Sequence, residues 1–157
     1  MKRIAAFLIS VIASVSVHAA ETQTPEKMAA AFFETFMKGD SAKAVDELFS
    51  INPLIKEKPQ QLQLLKSQLT TISQLYGAPF AVELVSVEDL TPSLQRRVYI
   101  TKHEWHPVTW EIYFYKPRGE WLPDQLVFAD KYEVLGRKSN RITKPLQPIR
   151  TDTLRSG

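Results

Sequence analysis

The chain reads as an α+β domain, three N-terminal helices laid over one face of a four-stranded antiparallel sheet. Two observations predict this. Apolar residues recur every three or four positions as far as Tyr76, and from Phe80 the period falls to two while β-branched and aromatic residues concentrate. Gly39, Gly77, Gly119 and Gly136 fall where these periodic segments stop.

The first helix follows Thr24-Pro25-Glu26, a cap, a helix-start proline and a first-turn acid. It carries Met28, Phe32, Phe33, Phe36 and Met37 and ends at Gly39. Asp40 caps a second, short helix bearing Val45, Leu48 and Phe49, which stops before Asn52-Pro53 because the residue ahead of a proline is pushed out of helical geometry. Leu54 to Lys58 reads as a linker. From Pro59, the positions Leu62, Leu65, Leu69, Ile72 and Tyr76 form one stripe on a third helix closed by Gly77. Strands are expected over Phe80 to Val87, Gln95 to Trp105, Val108 to Lys116, and Trp121 to Leu135, the last bent near Pro123-Asp124. Turns at His106-Pro107 and at Lys116-Pro117-Arg118-Gly119 make the sheet antiparallel.

Lys2 and Arg3, an uncharged apolar stretch from Ile4 to Val17, and small residues at Ala19-Ala20 follow the order of a cleavable secretory signal. Residues 1–20 are therefore expected to be removed, with cleavage after Ala19 or Ala20, leaving an exported protein of the periplasm or the extracellular space. The apolar stretch is too short for a hydrocarbon core that needs about 20 helical residues. There is no cysteine, so neither a disulfide nor a cysteine-linked lipid anchor contributes. Residues 21–135 suffice for a single domain.

The formal net charge of +3 is unevenly distributed. The segment 136–157 carries Arg137, Lys138, Arg141, Lys144, Arg150 and Arg155 against Asp152, and is expected to be disordered, with Pro145 and Pro148 interrupting any helix. The body between signal and tail has 12 basic and 16 acidic residues, which argues against a nucleic-acid groove. The tail is instead suited to a weak contact with an anionic membrane surface, an acidic envelope protein, or the acidic body itself.

This order of elements, with Phe32-Phe33 on the first helix and the closing Trp121-Leu122 and Leu126-Val127-Phe128-Ala129-Asp130, resembles the nuclear transport factor 2-like superfamily, which includes ketosteroid isomerase-like and SnoaL-like proteins. The resemblance spans residues 24–135. It implies a curved sheet wrapped around the helices as a cone, with an apolar pocket at the open end. The same cone hosts isomerases, dehydratases and binding modules, so it implies a pocket without a particular reaction. The carboxylate base, tyrosine and protonated acid of the isomerase-like members map onto no position of this chain.

A turn at His106-Pro107 would set Lys102 opposite Glu111 and divide the central hairpin into two faces. One holds Tyr99, Thr101, His103, Val108, Trp110, Ile112 and Phe114 and suits the core. With the helices it suggests a ligand pocket of Phe32, Phe36, Tyr76, Tyr99 and Trp110. The other holds Val98, Ile100, Tyr113 and Tyr115, a patch suited to a partner such as a second copy of the chain. His103 and Asp130 form the candidate catalytic pair, an imidazole oriented by a carboxylate for acid–base work. His103 and His106 lie three apart on an expected strand, on opposite faces, so no metal site is expected. No cysteine nucleophile, phosphate loop or dinucleotide fingerprint is present, and no cofactor is implied. The expected function is thus an exported, non-enzymatic binding domain for a small apolar ligand or an envelope protein. The alternative is an isomerase-like or dehydratase-like enzyme using His103 and Asp130.

Overall fold

Thr24 caps the first helix, α1 (Pro25–Met37), its hydroxyl accepting from the Lys27 N–H at 3.3 Å, while Pro25 sits in the first turn where a missing N–H costs nothing. Asp40 caps α2 (Ser41–Phe49) in the same way, at 3.0 Å from the Lys43 N–H. The computed structural model describes residues 23–136, so the expected signal, 1–20, and the basic segment from Arg137 onward lie outside the described residues.

The stretch expected as a linker is partly helical: α3 (Pro53–Lys56) begins at Asn52. The Asn52 carboxamide accepts from Leu54 N–H at 3.0 Å and donates to the Pro123 carbonyl at 2.7 Å, tying the helical layer to the last strand. Asn-Pro ends one helix and starts the next, because the residue before a proline leaves helical geometry as readily as a cap requires. The long helix α4 (Pro59–Tyr76) ends at Gly77, whose φ of +87° suits glycine alone.

The sheet has the order β1 (Ala81–Thr91), β2 (Leu94–Lys102), β3 (Val108–Tyr115), β4 (Leu122–Ala129), all antiparallel, so the molecule is α+β as expected. The irregularity expected at Pro123-Asp124 is a bulge, Gln125 pairing with Tyr113 and Pro123 with Phe114. β4 is shorter than expected, and the chain re-enters helix in α5 (Glu133–Gly136).

The central hairpin corrects the expected register. Tyr99 pairs with Trp110 and Val98 with Glu111, a four-residue offset from a turn at His106-Pro107, so Lys102 and Glu111 do not meet. The cause is the connection from His103 to Pro107, which is drawn onto the end of α4: Trp105 N–H donates to the Tyr76 carbonyl at 3.2 Å and the His103 ring bonds Gly77 O at 2.7 Å. Lys102 pairs instead with Glu83 on β1. Because the offset is even, every side chain keeps its expected face.

The core draws on both layers: Met28, Phe32, Phe33 and Phe36 of α1, Val45 and Leu48 of α2, Leu69 and Ile72 of α4, and Tyr99, Trp110, Ile112 and Phe114 of the sheet. Trp110 is its centre, with the rings of Phe32, Phe33 and Phe36 edge-on at 5.8, 5.8 and 5.0 Å and Phe128 at 5.6 Å. Edge-on pairs add roughly 0.5–1.5 kcal/mol each beyond their buried area.

Candidate functional site

The five residues expected to share one pocket are distributed otherwise. Phe32, Phe36 and Trp110 are fully buried against one another and occupy the space between the layers. Tyr99 and Tyr76 line two separate grooves.

The first groove, about 430 Å³, lies between α1 and β1. Its walls are apolar, from Ala30, Phe33 and Met37 on the helix and Val82 and Leu84 on the strand, with Glu26 and Glu34 also lining it. Val82 and Leu84 remain 39 % and 52 % exposed because β1 is an edge strand that overhangs the helical layer. Arg97 and Tyr99 stand side by side in this groove. Arg97 is only 8 % exposed, its Nε donating to the Tyr99 hydroxyl at 2.8 Å and its Nη1 to the Gln95 amide oxygen at 3.1 Å. Among the described residues no carboxylate forms an ion pair with it: Glu34 is engaged with Lys38 at 2.7 Å, and the neighbouring Arg96 takes Glu88 and Glu111. A buried guanidinium held by neutral acceptors retains donors for a further acceptor, and the carboxylates that share the groove, Glu26 and Glu34, make no ion pair with it. Burial raises the Tyr99 phenol above its ordinary value, an effect that Arg97 partly offsets and the Glu26 carboxylate reinforces.

The second groove, about 470 Å³, lies between α4 and β4 and is lined by Ile72, Leu75, Val108 and Phe128 with Tyr76, Asp130 and Lys131. The Tyr76 hydroxyl donates to Asp130 Oδ2 at 2.9 Å, and that bond is the main cause of the raised Tyr76 pKa. His106 Nε2 donates to the Asp130 carbonyl at 2.9 Å, and its ring lies 5.3 Å from Tyr76.

His103 and Asp130 are not hydrogen-bonded to each other. His103 is 6 % exposed and closed in a core network: Nδ1 meets the Gly77 carbonyl at 2.7 Å, Nε2 meets the Thr101 hydroxyl at 3.0 Å, and that hydroxyl accepts from the Trp110 indole N–H at 2.8 Å. A carbonyl only accepts, so Nδ1 carries the proton; in the neutral ring Nε2 is then an acceptor, to which Thr101 donates while accepting from the indole. Every group in the network is satisfied in that tautomer.

On the second sheet face Tyr115 is 45 % exposed, Ile100 and Tyr113 are half-buried, and Val98 is 1 % exposed. The exposed patch expected from these four is thus interrupted. Beside Val98 runs a buried polar network in which Glu111 Oε2 accepts from Arg96 Nε at 2.7 Å and from the Tyr113 hydroxyl at 2.6 Å. Burial, then the Glu111 bond, raises the Tyr113 phenol. Among the described residues no group of three or more histidine and acidic side chains is gathered that would hold a metal, and no helix is long and apolar enough to cross a membrane.

Comparison with protein-family models, with curated proteins and with solved structures finds no match to this chain. The functional reading therefore rests on the geometry. Arg97, Phe33, Val82 and Leu84 were not among the expected site residues. The available signal was Arg96-Arg97 inside a strand: consecutive side chains point to opposite faces, so one arginine had to lie on the same face as Tyr99 and Trp110.

Proposed function

We propose that this protein is an exported binding domain for a small amphipathic ligand, an apolar body lodged between α1 and β1 with an anionic head on Arg97. The observation that carries the reading is the buried Arg97 guanidinium, without a carboxylate partner among the described residues, in the wall of an apolar groove. A groove of about 430 Å³ is within the range of ligand sites, which combine apolar walls with a few fixed polar groups. In this reading the helices and the curved sheet are the cone of the nuclear transport factor 2-like superfamily, and the ligand enters beside the edge strand. The closed hydrogen bonding of His103 favours binding over acid–base chemistry by a His103–Asp130 pair.

Calorimetric titration of the mature protein with dodecanoate and with dodecanol tests it. The acid is expected to bind more tightly than the alcohol, and Arg97→Met to remove that preference, a loss of roughly tenfold or more for a charge-assisted bond. If Arg97→Met bound dodecanoate as well as the parent, or if neither compound bound, the proposal would fail. Native mass spectrometry of protein from its own envelope would show directly whether a ligand, a partner protein or a second copy is retained.

A further inference from the structure

Charge and apolar surface are sorted along the α1–β1 groove. The Phe33 ring of α1 lies 4.7 Å from Tyr99 and the Phe36 ring 6.4 Å from His103, so the helix advances in the same direction as β2. Glu26, about two turns before Phe33, therefore stands toward the Arg97 end of the groove. Met37 stands toward the other end, where Val82 pairs with Thr101. The influence of the Glu26 carboxylate on the Tyr99 phenol, the immediate partner of Arg97, agrees with this placement.

Two charges of opposite sign are thus gathered at one end without neutralising each other. Arg97 is buried on the strand side, its Nε and Nη1 turned to Tyr99 and Gln95, while Nη2 makes no hydrogen bond among the described residues. The Glu26 side chain is exposed on the helix wall, and its carboxylate makes no ion pair or hydrogen bond among the described residues. Glu34, the other carboxylate of the groove, is already held by Lys38 at 2.7 Å. A simple anionic head on Arg97 would set a like charge near Glu26, which weakens its binding. A positive group carried a few bonds further out on the same head would meet Glu26 and turn that repulsion into attraction. The difference in burial sets the order, the anion inward at Arg97 and the cation outward at Glu26.

We propose that the groove selects a zwitterionic amphiphile, its alkyl chain running toward Met37 and Val82, its anionic group on Arg97 and its terminal ammonium at Glu26. The proposal rests on ligand binding in this groove and adds Glu26 as the residue that sets head-group specificity.

The test is calorimetric titration of the mature protein with dodecylphosphocholine and with dodecyl 3,3-dimethylbutyl phosphate, in which carbon replaces the ammonium nitrogen, both below their micellar concentrations. The two share one phosphodiester anion, so Arg97→Met should weaken both. The preference for the phosphocholine over its isostere is expected to be about threefold to fivefold greater in the parent than in Glu26→Gln, the worth of one exposed ion pair, and salt should narrow the difference. Glu34→Gln should leave the preference unchanged, because that carboxylate is occupied by Lys38. Circular dichroism should be the same for the parent and both glutamine variants. An equal preference in the parent and Glu26→Gln, or an equal fall in Glu34→Gln, would overturn the proposal. So would binding of dodecanoate without binding of dodecylphosphocholine, and each of these results leaves the ligand-binding reading intact. Binding of none of the three compounds, or binding indifferent to Arg97→Met, would overturn both.

Discussion

At the level of single residues, two neighbours in one strand have opposite fates because a strand alternates faces. Arg96 points to the second sheet face, where burial opposes its charge but the Glu111 bond prevails and raises its pKa. Arg97 points to the helical side, where it forms no ion pair among the described residues and is held by Tyr99 and Gln95. Thr101 shows what satisfaction is worth in the same strand. Thr101→Val would leave the Trp110 indole N–H and His103 Nε2 without their buried partner, and denaturant unfolding is expected to show a loss of about 1–3 kcal/mol. The buried phenols give a pH dependence of definite sign. Tyr99 and Tyr113 are raised from 10.0 in the folded chain, so the neutral phenol is favoured there. The stability this contributes is complete below the unfolded value and lost as pH rises through the folded ones. Stability should therefore decline above about pH 10. Ultraviolet titration should show a late tyrosine component that shrinks in Tyr113→Phe.

At the level of elements, caps and glycines were readable and contacts between elements were not. Thr24-Pro25 and Asp40 start their helices as their side chains dictate, and Gly77 ends α4. Gly77 also carries the hairpin connection: its φ is +87° and its ψ 171°, a strained conformation for any other residue, and a β-carbon added there would crowd that of Glu104 at 3.1 Å. Gly77→Ala is expected to lower stability by about 1–3 kcal/mol in thermal or denaturant unfolding, and to loosen the His103 bond to its carbonyl. Asn52 does two jobs at once, capping α3 and reaching across the fold to Pro123. Asn52→Ala should cost about 1–3 kcal/mol, more than loss of a surface cap, since it also strands a buried carbonyl. That tie to a residue 71 positions away has no local signature, which is why the segment reads as a linker from sequence.

At the level of the whole molecule, the export expectation has a direct measurement: intact mass of the protein recovered from the cell envelope should correspond to a chain beginning at Ala20 or Glu21, and a Met1 chain in the cytoplasm would refute it. Periodicity alone determined that this chain is α+β with helices before strands, and alternation along β2 and β3 determined which side chains share a face, because both are properties of a few consecutive residues. The register of the central hairpin was decided by the anchoring of His103 and Trp105 on the end of α4, where His103 meets a carbonyl 26 residues earlier in the chain. The expected pocket depended on that same three-dimensional packing. Phe32, Phe36 and Trp110 are large enough to fill the interior, so the open space moved outward to the margin between α1 and the overhanging β1, and it brought Arg97 with it. Apolar character is written residue by residue, but whether an apolar residue lines a cavity or fills it depends on how closely two layers approach, and only their packing sets that distance.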